Sequence, residues 1–374
     1  MMREYGGEGT MSNASRWQRV HALLEQGVEA RIYSCCVAIV GDSKSIWHTA
    51  SVGLADPEKQ IPADTEMLFD LASLTKPVAC AASVMALVEE GTLQLDAPVC
   101  SVMEEAPTWF KRIRLRHLLT HTSGLPAWKP FYEQAQGDAL IQAVLQTPPS
   151  RLPEVDYEYS DLNYILLGEV VRRATGKSLA NYARERIFLP AGMTSTLYNP
   201  GEELLHRVAV TANCPWRTGQ ILRGQVHDAN AWAMGGVSGH AGLFSTASDL
   251  ARFCQTLLRG GDGILGRMTV EQMFRNQIAG IGGQSFGWFT HPNDMLPRAN
   301  LLPESCIGHS GFTGTALLLN RQPEFFIVLL SNRVYCAFEG DRWLPYRRRI
   351  LNAVSAVLEY GEGEAPAEPW IPPS

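Results

Sequence analysis

Residues 70–77 read Asp70-Leu71-Ala72-Ser73-Leu74-Thr75-Lys76-Pro77 and run into Val78-Ala79-Cys80-Ala81-Ala82-Ser83-Val84-Met85-Ala86-Leu87-Val88-Glu89-Glu90-Gly91. The apolar run predicts a helix closed by Gly91, because a glycine just past the last turn takes the left-handed conformation without a Cβ penalty. Ser73 and Lys76 stand three residues apart, nearly one helical turn, so the amine falls beside the hydroxyl on one face. Pro77 fits an opening turn, where its missing amide hydrogen has no intrahelical partner to lose. A nucleophile at that position gains from free backbone N–H groups and the positive end of the helix dipole. By itself Ser-x-x-Lys also describes a serine N-cap followed by a solvated lysine, so its chemistry depends on partners elsewhere in the chain.

At 374 residues the chain is longer than a usual single domain, which implies one large or two interleaved domains. With 45% hydrophobic and 19% charged residues it can bury a sizeable core. The net charge of −6 argues against nucleic acid as a partner. The nearest approach to a basic run, Arg347-Arg348-Arg349, is expected on the polar face of a C-terminal helix. No apolar run reaches about 18 residues, so no membrane span is expected. The polar stretch 1–18 has no signal-peptide pattern, and the expected location is cytoplasmic, with Met1 or Met11 as the start. Eight cysteines, including adjacent Cys35-Cys36, contain no C-x-x-C pair. That pattern suits reduced, buried thiols rather than a disulfide frame or a zinc site.

Working outward, residues 15–30 show the three- and four-residue apolar spacing of an amphipathic helix. Strands are expected at 33–40 and 45–52, joined by the turn residues Gly41-Asp42-Ser43-Lys44. Helices are expected at 115–120, 138–146, 161–174 ended by Gly176, and 178–188 ended by Pro190. No element is assigned over 196–233. A glycine-dense loop, 235–246, leads to a helix at 247–258. Strands follow at 286–290, 313–320 and 325–331, with a last helix at 343–359. The expected fold class is α+β: an antiparallel sheet made by both chain ends, flanked by helices, with an inserted mainly helical lobe. The corresponding boundaries are a disordered tail at 1–12, an α/β lobe from 13–95 and 236–360, a helical lobe at 96–235, and a disordered tail at 361–374. The site is expected in the cleft between the lobes.

Two further clusters carry chemistry. Tyr157-Glu158-Tyr159-Ser160-Asp161 ends at a loop-to-helix junction, where a cation near Tyr159 could make its phenol a proton shuttle. Gly308-His309-Ser310-Gly311-Phe312-Thr313-Gly314 is glycine-flanked and precedes an apolar strand, so its backbone can approach a substrate and offer an oxyanion donor.

In this order, Ser73-x-x-Lys76, Tyr159-Ser160-Asp161 and His309-Ser310-Gly311 resemble the three motifs of the serine β-lactamase and penicillin-binding-protein superfamily. The match is nearest to its class C-like branch, which includes D-alanyl-D-alanine carboxypeptidases, D-aminopeptidases and β-lactamase-fold esterases. Leu115-Arg116-His117-Leu118-Leu119-Thr120-His121-Thr122-Ser123-Gly124-Leu125 and Gly239-His240-Ala241-Gly242-Leu243-Phe244-Ser245-Thr246 look family-like as well, and the resemblance covers 15–355. It implies a β-lactamase/transpeptidase-like fold with Ser73 as acylated nucleophile, Lys76 as the amine that helps deprotonate it, and Tyr159 as shuttle to the leaving group. It also implies an oxyanion hole from the Ser73 and Phe312 amides, with Asp161, His309, Ser310 and Gly311 on the substrate side.

Two departures stand out: β-lactamases of this class carry lysine where this chain has His309 and asparagine where it has Asp161. An imidazole attracts a carboxylate less than an ammonium does, and Asp161 repels anions, which points away from penicillins and toward esters and peptides. The expected activity is that of a serine hydrolase working through a covalent acyl-enzyme, without cofactor or metal, on small-molecule esters, D-amino-acid amides or peptides, or β-lactams. Neither nucleic acid nor membrane is an expected partner. The alternative is a catalytically weak binding or scaffold protein of the same fold. His117 and His121 lack the H-E-x-x-H pattern of a metal site, Phe312 spoils a nucleophile elbow at 308–312, and His240 reads as a loop hydrogen-bonder.

Overall fold

Along the strand Cys35–Gly41 the side chains alternate between two cores. Cys35, Val37 and Ile39 face a core shared with the residues after Ser73, whereas Cys36, Ala38 and Val40 face a second core with the terminal helices. The strand Glu324–Ser331 divides in the same way, Phe326, Val328 and Leu330 on the first side and Phe325, Ile327 and Leu329 on the second. Strands covered on both faces need no polar alternation, which explains their continuous apolar runs. In this computed structural model the described residues are 13–214, 217, 221–336 and 342–358. The two expected tails lie outside them.

Six strands form one antiparallel sheet, ordered Ile61–Pro62, Ile46–Asp56, Cys35–Gly41, Glu324–Ser331, Ala316–Arg321, Ile307–Ser310. Helices Asn13–Glu29 and Trp343–Leu358 cover one face, and Ala247–Leu258 lies against the other. This is the expected α+β architecture, with strands from both chain ends meeting where Cys36 pairs with Ser331.

The segment around Ser73 is one continuous helical run in three pitches: a tight 3₁₀ turn at Ala72–Leu74, a π-helical stretch at Lys76–Ala81 and an α-helix at Ala82–Glu89. Gly91 follows at φ +76°, as expected of a residue past the last turn. Pro77 lies in the wide π-helical part, and such bulges concentrate at functional sites. Ala72–Glu89 has the length of a membrane span, but it contains Ser73, Thr75, Lys76 and Ser83, so it is no unbroken apolar run, and 83% of it is buried inside the protein. It is the axis of the core.

Several expectations are corrected. Residues 286–290 form no strand; they make only isolated bridges, because Gly287 at φ +97° reverses the chain and Ser285 N–H bonds to the Trp288 carbonyl at 2.8 Å. The strand expected from 313 begins at Ala316, since Gly311 to Gly314 make a turn closed by a 3.1 Å bond and place Ile307–Ser310 as a separate edge strand. A helix at Arg267–Phe274 was not anticipated. Among the described residues of the unassigned stretch 196–233 lie three short strands, a 3₁₀ segment at Glu202–Arg207 and the helix Ala229–Ala233. All eight cysteines are free, six of them buried.

The loop carrying Gly239 packs so closely on the core helices that no side chain fits at that position. A Cβ on Gly239 would fall 2.0 Å from the Tyr164 carbonyl oxygen and 2.9 Å from Cys80 Sγ, and one on Gly168 would fall 2.9 Å from the Gly239 nitrogen. Gly168→Ala and Gly239→Ala are therefore each expected to lower the free energy of unfolding by about 1–3 kcal/mol, the usual cost of overpacking. Urea titration measures this, and parent-like midpoints would exclude the close packing.

Candidate active site

Lys76 is the centre of the site. Its side chain is fully buried, and its ammonium donates to Ser73 Oγ at 2.8 Å and to the His240 carbonyl oxygen at 3.1 Å. The Asp161 carboxylate lies 2.7 Å from it, and the Tyr159 ring centroid 4.9 Å. Burial alone would push this ammonium down, but the charge of the Asp161 carboxylate outweighs it and holds Lys76 above its ordinary value. Tyr159 is raised by burial, an effect that Lys76 partly offsets. The resting site therefore pairs an ammonium with a carboxylate beside a neutral phenol.

Each of these groups is set by local structure. Ala72, just ahead of Ser73, has φ +46°, and non-glycine residues in that region cost about 1–3 kcal/mol unless the surroundings enforce it. The turn is braced by Thr75, whose hydroxyl donates to the Ala72 carbonyl at 2.6 Å and accepts the Leu243 N–H at 3.1 Å. Tyr159-Ser160-Asp161 is held against the 115–127 segment. The Ser160 N–H bonds to His121 Nδ1 at 3.0 Å, the Ser160 hydroxyl to the Pro126 carbonyl at 2.7 Å, and the Asp161 N–H to the Ala127 carbonyl at 2.9 Å. The helix Asp161–Thr175 then begins directly, with Gly176 in the left-handed conformation at its end.

The third cluster sits against the first. Gly311 can only be glycine, because a Cβ would lie 2.2 Å from Thr315 Oγ1 and 2.3 Å from the Leu71 carbonyl oxygen. Thr313 and Thr315 donate their hydroxyls to the carbonyls of Asp70 and Leu71 at 2.7 and 3.0 Å. His309, fully buried, stacks on Phe289 at 4.2 Å and lies 6.0 Å from the Tyr159 ring. Burial first, then Lys76, holds His309 well below its ordinary value. Being neutral, it donates Nδ1–H to the Ser310 carbonyl at 3.0 Å. Phe312 is 53% exposed, stacks against His227 at 5.7 Å and receives Arg333 both on its carbonyl oxygen (2.6 Å) and over its ring.

All three sequence clusters thus meet. Asp161, expected on the substrate side, turns its carboxylate to Lys76. Sequence reasoning missed four contributors: Asp70, Asp228, His121 and Arg333. His240, expected as a loop hydrogen-bonder, is one. His240 Nδ1 meets Ser238 Oγ and its Nε2 meets Asp228 Oδ1, both at 2.8 Å, which fixes the Asp228 carboxylate at the edge of the Lys76 cluster. Burial would raise Asp228, but His240 foremost holds it well below the carboxylate range. The signal was present in Val226-His227-Asp228-Ala229, where Asp228 caps the helix Ala229–Ala233 by accepting the Ala231 N–H. His121, weighed only as a metal ligand, instead accepts the Ser160 N–H, and His117 Nδ1 accepts the Arg114 N–H. Asp161, Asp228 and His240 bring ligand-type atoms within 4.8 Å of one another. The Lys76 ammonium already supplies the positive charge such a cluster would attract.

Comparison with known proteins places the chain in a family and a fold. A family model described as Beta-lactamase matches residues 20–352. A putative D-alanyl-D-alanine carboxypeptidase of Escherichia coli is 31% identical over 89% of this chain and 86% of its own length. An N-acetylmuramyl-L-alanine amidase of Bacillus subtilis is 28% identical over 90% of this chain and 87% of its own. Among solved structures, EstCE1, a hydrolase with promiscuous acyltransferase activity, superposes with a TM-score of 0.73 at 20% identity, covering 92% of this chain and 100% of that one. On the extent of the family match, and with the fold to support it, the chain belongs to the beta-lactamase family of serine hydrolases.

Proposed function

We propose that Ser73 is the acylated nucleophile of this hydrolase, that Lys76 and Tyr159 move the protons, and that esters and amides of small acyl groups are its substrates. One observation carries the reading: a fully buried ammonium bonded at once to a serine hydroxyl and to a carboxylate, with a phenol ring beside it. The Ser73 proton leaves through Lys76, whose own displaced proton passes to the Asp161 carboxylate 2.7 Å away. Ser73 Oγ bonds to the acyl carbon, and the Ser73 and Phe312 amides receive the oxyanion. Collapse breaks the bond to the leaving group, which takes a proton from Tyr159. Water then attacks the acyl-enzyme with Tyr159 as base, and the proton returns to Ser73.

Substrate preference follows from charge. His309 is neutral and Asp161 and Asp228 are acidic, so the pocket around Lys76 favours neutral or cationic acyl groups over the carboxylate of a penicillin. The carboxypeptidase and amidase relatives support acyl groups bearing amide bonds, and reactive side chains at every motif position argue against a scaffold. A panel of p-nitrophenyl esters, D-alanyl amides and nitrocefin tests this: turnover of an ester or amide well above nitrocefin is expected, and nitrocefin as the best substrate overturns it.

Ser73→Ala is expected to abolish turnover of a short-chain p-nitrophenyl ester with circular dichroism unchanged, and Lys76→Met or Tyr159→Phe to cost at least about a hundredfold in kcat. Parent rates in the Ser73 variant would sink the assignment. Asp161 holds Lys76 up, so removing its charge lowers the pH at which the ammonium is lost. The alkaline limb of kcat is therefore expected to move to lower pH in Asp161→Asn, and a limb that stays in place would show that the pair does not govern proton transfer.

A further inference from the structure

Asp70 stands three residues ahead of the nucleophile and takes no part in the steps above, yet its side chain is one of the most buried acids in the chain, at 3% exposure. Its backbone is fixed by the pairing of Phe69–Asp70 with Leu243–Ser245 and by the Thr313 hydroxyl on its carbonyl oxygen. The carboxylate reaches two ways. Oδ1 accepts the Ala72 N–H at 2.9 Å, and Oδ2 accepts the His227 N–H at 2.6 Å. Ala72 is the residue at φ +46° that delivers Ser73, and His227 directly precedes Asp228 at the edge of the Lys76 cluster. A side chain with a Cβ keeps a left-handed backbone only where its neighbours impose it. Here the imposing group is a carboxylate acting on the very amide of that residue.

We propose that Asp70 is a positioning residue for acyl transfer: its ionised carboxylate locks Ala72 in the left-handed conformation that sets the Ser73 hydroxyl and amide, and ties the His227–Asp228 edge to the same frame. The proposal rests on the acyl-enzyme reading with Ser73 as nucleophile. Only a carboxylate fits both bonds, because an asparagine must turn its NH₂ toward one of two N–H donors.

Burial pushes the Asp70 carboxyl up to about 6, against the two backbone N–H bonds. The ionisable groups facing it are Asp228 and His227, from the segment it binds, and Arg217; Asp228 raises it further and Arg217 opposes. The neighbouring segments 243–245 and 313–315 contain no ionisable side chain. Above about pH 6 both oxygens accept. Below it a proton occupies one of them, a bond is lost, and kcat falls. The sign for stability is opposite: a folded value raised above 3.8 means that the contribution of this group is full at low pH and lost as pH rises through about 6. Ionisation of Asp70 thus serves the site at the expense of the fold.

The test compares the parent, Asp70→Asn, Ala72→Gly and the double variant, reading kcat and KM for a p-nitrophenyl ester from pH 5 to 8 and the rate of fluorophosphonate labelling at Ser73. Asp70→Asn is expected to stay folded at the assay temperature, to lose about tenfold to a hundredfold in kcat and labelling rate with KM little moved, and to lack the acid limb. In the Ala72→Gly background, where the left-handed backbone needs no enforcement, the same substitution is expected to cost less. Parent-like kcat in Asp70→Asn, an acid limb that persists in it, or an equal loss in both backgrounds would overturn the proposal. If Asp70→Asn does not fold, the parent profile decides: a kcat that falls through about pH 6 with KM steady supports the lock, and one flat down to pH 5 overturns it. A parent that takes no label at Ser73 defeats the acyl-enzyme reading itself, whereas equal labelling of parent and variant defeats only the role of Asp70.

Discussion

An ammonium buried without a partner would lose its proton or unfold its surroundings, so the Lys76–Asp161 pair is the constraint on which the rest of the site depends. Lys76 is fully buried and Asp161 largely so, and removing one member of such a pair typically costs about 3–5 kcal/mol. The pair brings the Ser73 helix and the Asp161–Thr175 helix to one point. It keeps the lysine charged and donating to Ser73 Oγ, while the phenol beside it is held above its ordinary value. In an asparagine-bearing relative the same lysine would face a neutral amide, so one residue alters the acid–base character of the centre.

The fold delivers that pair by backbone contact more than by side-chain reach. Gly168 lies against Gly239, Gly287 against Ala81, and Gly311 against Leu71. At each crossing a Cβ would collide with main chain or core, so the loop carrying His240 reaches Lys76, and the turn after the edge strand carrying His309 reaches Asp70 and Leu71, at hydrogen-bond distance. The sheet behind them is buried on both faces, which gives these loops a rigid support.

Much of this was legible in the sequence because its signals are short-range. The hydrophobic period of Asp161–Thr175, the glycine past Glu90 and the turn at Arg321 to Glu324 each act over a few residues, and all lie where expected. The failures share a cause as well. Strand-like composition at Phe286 to Thr290 was overridden by one left-handed glycine, and the capping role of Asp228 was hidden in a stretch without periodicity. Asp70 was missed because, beside a local bond to the amide two residues on, its second bond goes to an amide 157 residues away.

The sequence by itself determined the chemical types, their order and the local geometry that puts Lys76 one turn from Ser73, since three residues of helix suffice for that. Only the tertiary structure decided that the Asp161 carboxylate meets the Lys76 ammonium, that His309 is held well below its ordinary value, and that His240 bonds to Asp228 beside them. Those outcomes depend on burial and on charges drawn from segments far apart in the chain, and the energy of a charge depends on everything around it rather than on its neighbours in sequence.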